Sequence, residues 1–395
     1  MDYYDVTVVG AGVCGLIVSQ KIAEQGYRVC VIEAKQDVGI ETKCSALYSV
    51  RGIKKLGLKL EDALILNVIR GGRFFSPSGK TITAHSNKDR AFVVEKKLFD
   101  KFLAREAAKS GVEFKFKTIA VEAKIDNEVK LKTEGLHHNI IKSKILVLAE
   151  GVKRRISKNL GFKSYNRFVS ACRVEIDKAE IDEDIAEMYF TNKYAKGFYA
   201  WLLHRGETCE IGIGVERGDP WYYLMKFIRE NSIANRKIKG KSFLEIARGF
   251  IPTDYPSECV RDRVAIVGDA CAQNKASTGG GVVTGGICAN ILANACIKAL
   301  ENENFSKKFL KKEYKDKWRE EIGKELEIHA MLREGFNSLS DEEIDTLFEI
   351  AISENLQDVL IKLPDTDRPS EFLNEIAKND KLIEKFQRIL NISIS

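Results

Sequence analysis

Residues 4–15 read YDVTVVGAGVCG, and the fold turns on this stretch. Tyr4 to Val9 is an apolar, β-branched run suited to a strand buried on both faces. Gly10, Gly12 and Gly15 follow in GxGxxG spacing. The next segment, LIVSQKIAEQ, has apolar residues at 16, 17, 18, 22 and 23, as an amphipathic helix would, and Gly26 is placed to end it. A second strand, YRVCVIEA, carries Glu33 at its end. Strand, glycine loop, helix, strand and acid together predict a dinucleotide-binding βαβ unit. Gly10 serves the tight turn, Gly12 lets the backbone approach a pyrophosphate, and Gly15 lets helix and strand pack closely. Glu33 is placed to accept hydrogen bonds from a ribose and would repel the 2′-phosphate of NADP, which leaves FAD and NAD.

A second glycine loop separates those two. RVAIVGDACAQN, residues 263–274, reads as a buried strand ending in Gly268-Asp269, and KASTGGGVVTGG, residues 275–286, opens a small-residue helix. Asp269 would face a sugar-like hydroxyl chain. The helix start at Gly280, Gly281 and Val282 would offer N–H donors to a phosphate or a flavin edge. NAD needs no second site so far along the chain, whereas the ribityl chain and ring of FAD do.

Composition sets wider bounds. The chain has 395 residues, enough for two domains or one composite domain, and 44% hydrophobic with 30% charged residues reads as an ordinary globular protein. The balance of 63 basic and 57 acidic residues gives +6; a solvated Lys-rich surface accounts for it more readily than an anionic partner does. The N-terminus shows no signal-peptide pattern. The uncharged run from Ala276 to Ile297 is rich in Gly, Ala, Asn and Thr and reads as a packed internal helix. A cytoplasmic protein is expected, with peripheral membrane contact left open and no nucleic-acid partner. Nine cysteines form no CxxC and have no histidine partners at metal-like spacing, so no metal site is expected.

The chain resembles the geranylgeranyl reductase family of flavoproteins, and within it the archaeal digeranylgeranylglycerophospholipid reductases, over residues 1 to about 335. The resemblance lies in EAKQDVGIETKCS, VVEKKLFDKFLAREAAKSG, LVLAEGVKRRISKNLG, FYAWLL and, most specifically, GDACAQNKASTGGGVVTGG. It implies the p-hydroxybenzoate-hydroxylase-like fold, an FAD cofactor and an FAD-dependent reductase that saturates geranylgeranyl double bonds in archaeal membrane lipids or their precursors. Implied FAD contacts are Cys14, Glu33, Cys44, Ser45, Lys96, Ala120, Asp269, Gly281 and Val282. The sequence departs from the family at Lys96 (usually Arg), Glu150 (usually Asp), Leu47 (often Gly) and Leu203-His204 (usually Phe-Pro). Glu150 is expected to shift a flavin-adjacent contact by one methylene.

The resemblance also places Cys44 beside the flavin and implies reversible pairing with Cys288 or Cys296; a bare buried thiol is the alternative. Tyr199 and Trp201 are two apart and would project from one strand face, to line an apolar tunnel or to serve as core aromatics. In the tunnel their faces would stabilise tertiary cation character during alkene protonation. Cys44, Tyr199 and Trp201 are thus the catalytic candidates. His204 is expected at the surface or as a cap, and no proton donor is identified. An isoprenoid lipid substrate and an external electron donor (ferredoxin, NADPH or deazaflavin) are implied. Rival readings are a quinone side-chain reductase, an aromatic monooxygenase and a flavin-bearing lipid-binding protein.

The expected architecture is α/β: a Rossmann-type FAD-binding domain from 1–160 and 259–300, a mixed-sheet substrate domain from 68–94 and 165–258, and a helical region from 301–395. The last is a lid or membrane-proximal lobe, or a solvated packing domain.

Overall fold

The computed structural model describes residues 3–40, 43–163, 165–256, 258–363 and 367–378; the expectations for 379–395 lie outside the described residues. The opening strand, Tyr3–Val9, runs parallel between Val29–Ile32 and Ile140–Leu148, with Val6 beside Val29 and Ile145. Parallel strands Glu113–Lys115 and Val264–Ile266 extend the sheet on either side. Val260–Arg261 ends it, and the hairpin Thr118–Ile125/Val129–Gly135 attaches to Ile140–Leu148. Strands buried on both faces need apolar residues at every position, and Val6, Val8, Val29, Cys30, Val31, Leu146, Val147 and Leu148 are all at or below 1% exposed. Helices Val13–Ala23 and Val282–Glu301 pack on each other beside this sheet. The second is long and apolar enough to cross a membrane, and is largely buried within the fold.

A seven-stranded mixed sheet stands against the first. Its order is Phe243–Pro252, Phe168–Ile176, Thr208–Val215, Ala200–Arg205, Ile185–Tyr189, Gly71–Phe75, Thr81–His85, and only Ile185–Tyr189 and Gly71–Phe75 pair in parallel. The segment expected from 68–94 is narrower than predicted. Only 71–85 joins this sheet, because Ala91–Val94 pairs with Leu47–Ser49 on one side and Ile65–Ile69 on the other in a separate three-stranded sheet.

The charged stretch after Phe305 is helical from Lys307 to Asn337, but not α-helical throughout: Lys311–Asp316 and Arg319–Gly323 are π-helical. The sequence explains this. Leu310, Tyr314, Trp318, Ile322 and Leu326 recur every four residues and are all buried. Four α-helical residues overshoot one turn by about 40°, so a strict period of four would carry the row off the core. The wider π turns undo that drift and keep the row facing inward. Trp318 is fully buried as a result.

Candidate functional site

The three glycines of the first loop stand in different surroundings. A β-carbon on Gly10 (φ +107°) would lie 2.3 Å from the Ala149 carbonyl oxygen, and one on Gly15 would lie 2.0 Å from that of Gly10. One on Gly12 would meet nothing within 4 Å, so that residue presents bare backbone to open space. Gly12 caps helix Val13–Ala23 with no side-chain bond, leaving first-turn N–H groups for a phosphate. Glu33 accepts hydrogen bonds from the N–H groups of Ala11 (2.9 Å) and Lys35 (2.9 Å). The acid therefore helps to build the loop. Ala120 is buried near this end of the site, two residues from Thr118, whose N–H bonds the Glu33 carbonyl at 3.0 Å.

The second loop closes on itself: Lys275 N–H donates to the Gly280 carbonyl (2.9 Å), and Gly279 N–H to that of Lys275 (2.7 Å). Gly281 caps helix Val282–Glu301, again with no side-chain bond. A β-carbon on Gly281 would sit 3.0 Å from Asp269 Oδ1, so Gly280, Gly281 and Val282 put helix-start N–H groups beside that carboxylate. Burial raises the Asp269 pKa to about 6 against the opposing pull of the Lys96 ammonium. Lys96 also pairs with Asp100, both largely buried. The two loops meet at Cys14, whose sulfur packs against the bare α-carbons of Gly268 and Gly285; burial pushes its thiol up to about 12.

Tyr199 Oη donates to the Thr278 carbonyl (2.7 Å), which ties the mixed sheet to the second loop. Burial holds its phenol well above the ordinary range. The Tyr199 and Trp201 rings stand 6.0 Å apart, edge to face, as same-face neighbours should. Trp201 lies over Gly212, where a β-carbon would come within 2.1 Å of the ring. Cys44 is exposed, and its sulfur accepts the Ala46 N–H at 3.3 Å. Ser45 presents its carbonyl to Arg205 Nη1 at 3.1 Å. All nine cysteines carry free thiols, with Cys288 and Cys296 fully buried.

Glu150 is held by the chain itself: its carboxylate accepts from Ile156 N, Ser157 N and Ser157 Oγ at the start of the helix Arg155–Asn159. One expectation needs correction. His204 is neither at the surface nor a cap; it is 3% exposed within strand Ala200–Arg205, and burial lowers its pKa and keeps it neutral.

Sequence reasoning missed several residues that shape the site. Tyr165 Oη donates to the Asp269 carbonyl at 2.5 Å, with the Arg154 guanidinium over its ring at 4.5 Å. Glu210, Arg173 and Arg205 lie buried behind Trp201. From the helical region, Asp367 pairs with Lys275 at 2.6 Å and His329 Nδ1 contacts Ser277 Oγ at 2.6 Å.

Two uncapped helix starts, a bare glycine facing open space, an acid beside the first loop and a buried carboxylate beside the second fit one extended dinucleotide, and the chain is an FAD-binding flavoprotein: residues 3–303 match the FAD binding domain family. It belongs, more narrowly, to the digeranylgeranylglycerophospholipid reductase family. It is 34% identical to the digeranylgeranylglycerophospholipid reductase of Methanocaldococcus jannaschii, over 98% of this chain and 99% of that one. It is 30% identical to the enzyme of the same name from Methanococcus vannielii, over 91% and 93%. A crystal structure of a geranylgeranyl bacteriochlorophyll reductase-like protein from Thermoplasma acidophilum superposes with a TM-score of 0.87 at 23% identity, covering 98% of this chain and 100% of that one. At that identity the likeness speaks to the fold.

Proposed function

We propose that this chain reduces the isoprenoid double bonds of geranylgeranyl chains carried on archaeal glycerophospholipids or their precursors. The observation that carries this reading is the end-to-end match, 34% identity over 98% of the chain, to a digeranylgeranylglycerophospholipid reductase.

Gly12, Cys14, Gly15, Glu33 and Ala120 would hold the adenosine and pyrophosphate half of FAD. Cys44, Ser45, Lys96, Asp269, Gly280, Gly281 and Val282 would hold the ribityl and ring half. FAD held there would supply hydride chemistry, with an external donor of the ferredoxin, nicotinamide or deazaflavin class as the source of electrons. Tyr199 and Trp201 form the aromatic wall against which a prenyl chain lies, and they keep water from it. The exposed Cys44 thiol stands next to Ser45, whose carbonyl Arg205 reaches. Work at a membrane surface suits a lipid substrate, and the exposed Phe243, Leu244, Ile246 and Phe250 of the edge strand support a peripheral contact there.

The test is anaerobic. The flavoprotein is reduced with dithionite and mixed with unsaturated archaeal phospholipid, and flavin reoxidation and product mass are followed. A gain of two hydrogens per double bond supports the reading. Reoxidation only on admitting air, with lipid mass unchanged, overturns it.

A further inference from the structure

Glu210 is fully buried, yet it lies in an apolar strand with two buried arginines. Its Oε1 accepts the indole N–H of Trp201 at 2.8 Å. Its Oε2 faces Arg173 Nη1 at 3.3 Å and Arg205 Nη1 at 3.5 Å. Arg205 Nη1 also reaches the Ser45 carbonyl, next to Cys44. Burying three charged groups carries a desolvation penalty, and replacing buried ion pairs by well-packed apolar residues is often neutral or stabilising. Such a network is therefore weak evidence of a stability role.

The geometry of Trp201 suggests another role. The ring lies flat on Gly212, so its opposite face is the one turned away from the sheet. Reducing a trisubstituted alkene breaks one π bond and forms two C–H bonds, one from a proton and one from a hydride. When the proton leads, positive charge develops on the more substituted carbon. An aromatic face stabilises such charge through its quadrupole, and a carboxylate bonded to the indole N–H makes that face more electron-rich.

We infer that Glu210 is a positioning residue for the reduction: it holds the indole of Trp201 flat and electron-rich towards the prenyl chain, while Arg205 ties the same carboxylate to the Cys44–Ser45 turn. The two arginines flank that carboxylate and fix its rotamer. The inference rests on the prenyl-reductase reading.

The test combines kinetics with a spectrum. Glu210→Gln keeps an acceptor for the indole but removes the charge; kcat should fall about 10–100-fold with KM within about twofold and flavin content unchanged. In a Trp201→Phe background the same change should have little further effect, since residues acting as one unit are non-additive. The chain has three tryptophans, so ¹⁵N-indole spectra are simple, and one indole N–H resonance should move upfield in Glu210→Gln. Additive losses, or an unmoved resonance, would overturn the inference. If Glu210→Gln does not fold, wild-type enzyme grown with mono-, di- and trifluorotryptophan gives the answer: log kcat should fall with each fluorine, and a flat series would overturn it. A wild-type enzyme that saturates no prenyl bond sinks the functional reading itself, whereas an active enzyme with a flat series sinks only the role of Glu210 and Trp201.

Discussion

The sulfur of Cys14 rests against the bare α-carbon of Gly268: a β-carbon there would lie 2.8 Å from Sγ, and one on Gly285 would lie equally close. One side chain on the first helix thus sets the spacing of both nucleotide loops. Gly285→Ala should destabilise the protein by about 1–3 kcal/mol through overpacking, and lower flavin retention. In a Cys14→Ala background the sign should reverse, because the clash is gone and alanine is worth about 1 kcal/mol over glycine inside a helix. Thermal melts and flavin-release assays of the four proteins check this.

Gly212→Ala tests the aromatic wall. The new methyl group would press on the face of the Trp201 ring, 2.1 Å from Cζ2, and force it off the strand. We expect at least a tenfold loss of kcat with FAD content unchanged, and a shift in tryptophan fluorescence. Full activity would detach Trp201 from the reaction.

Asp269 predicts a pH effect in the apoprotein. Its pKa rises from 3.8 to about 6 on folding, so the folded state is penalised once the carboxylate ionises. Stability is unaffected below about pH 4, is lost as pH rises towards 6, and levels off above. The loss is about 1–3 kcal/mol after solvent screening. Apoprotein Asp269→Asn should therefore melt higher than wild type at pH 8 and match it near pH 4.

The contact between the helical region and the second loop carries the opposite pH sign. Burial pulls the Asp367 carboxyl up, but the Lys275 ammonium and the bonds from Lys275 and Ser49 outweigh it and hold the pKa below the ordinary value. Its contribution is present above the unfolded pKa and lost on acidification. His329, lowered to about 3 by burial and then by Lys275, also destabilises the fold as pH falls from about 6.5. Asp367→Asn should cost about 3–5 kcal/mol at pH 7 by removing the carboxylate paired with a largely buried lysine, and should flatten the acid limb of a stability–pH curve.

Cys44 should be the first cysteine alkylated. It is exposed, Cys14 is half-buried and the other seven are buried. Iodoacetamide under native conditions should label residue 44 alone, as read by peptide mass, and the label should perturb the visible spectrum of the bound flavin.

Both nucleotide loops were legible in the sequence because their signals are local: glycine spacing, a strand before and a helix after. Tyr199 and Trp201 could be placed on one face for the same reason. Glu210, Arg173 and Arg205 could not be brought together in advance, since they meet only through the pairing of three antiparallel strands. The available signal was a lone acid in CEIGIGV, a run otherwise suited to full burial. Tyr165 and Asp367 act from distant parts of the chain and leave no local mark. The π turns did leave one, in the apolar period of four after Leu310, but a helical-wheel reading at 3.6 absorbs it.

Both oxygens of Glu33 are already held by backbone donors, so the shape of the first loop does not wait for its ligand. A cradle finished in advance loads by encounter rather than by folding around its guest. Protein stripped of flavin should then keep the fold of this half and refill from free FAD in a single bimolecular phase, linear in FAD concentration. The cofactor becomes an exchangeable part, and an analogue with a different potential could be seated in its place.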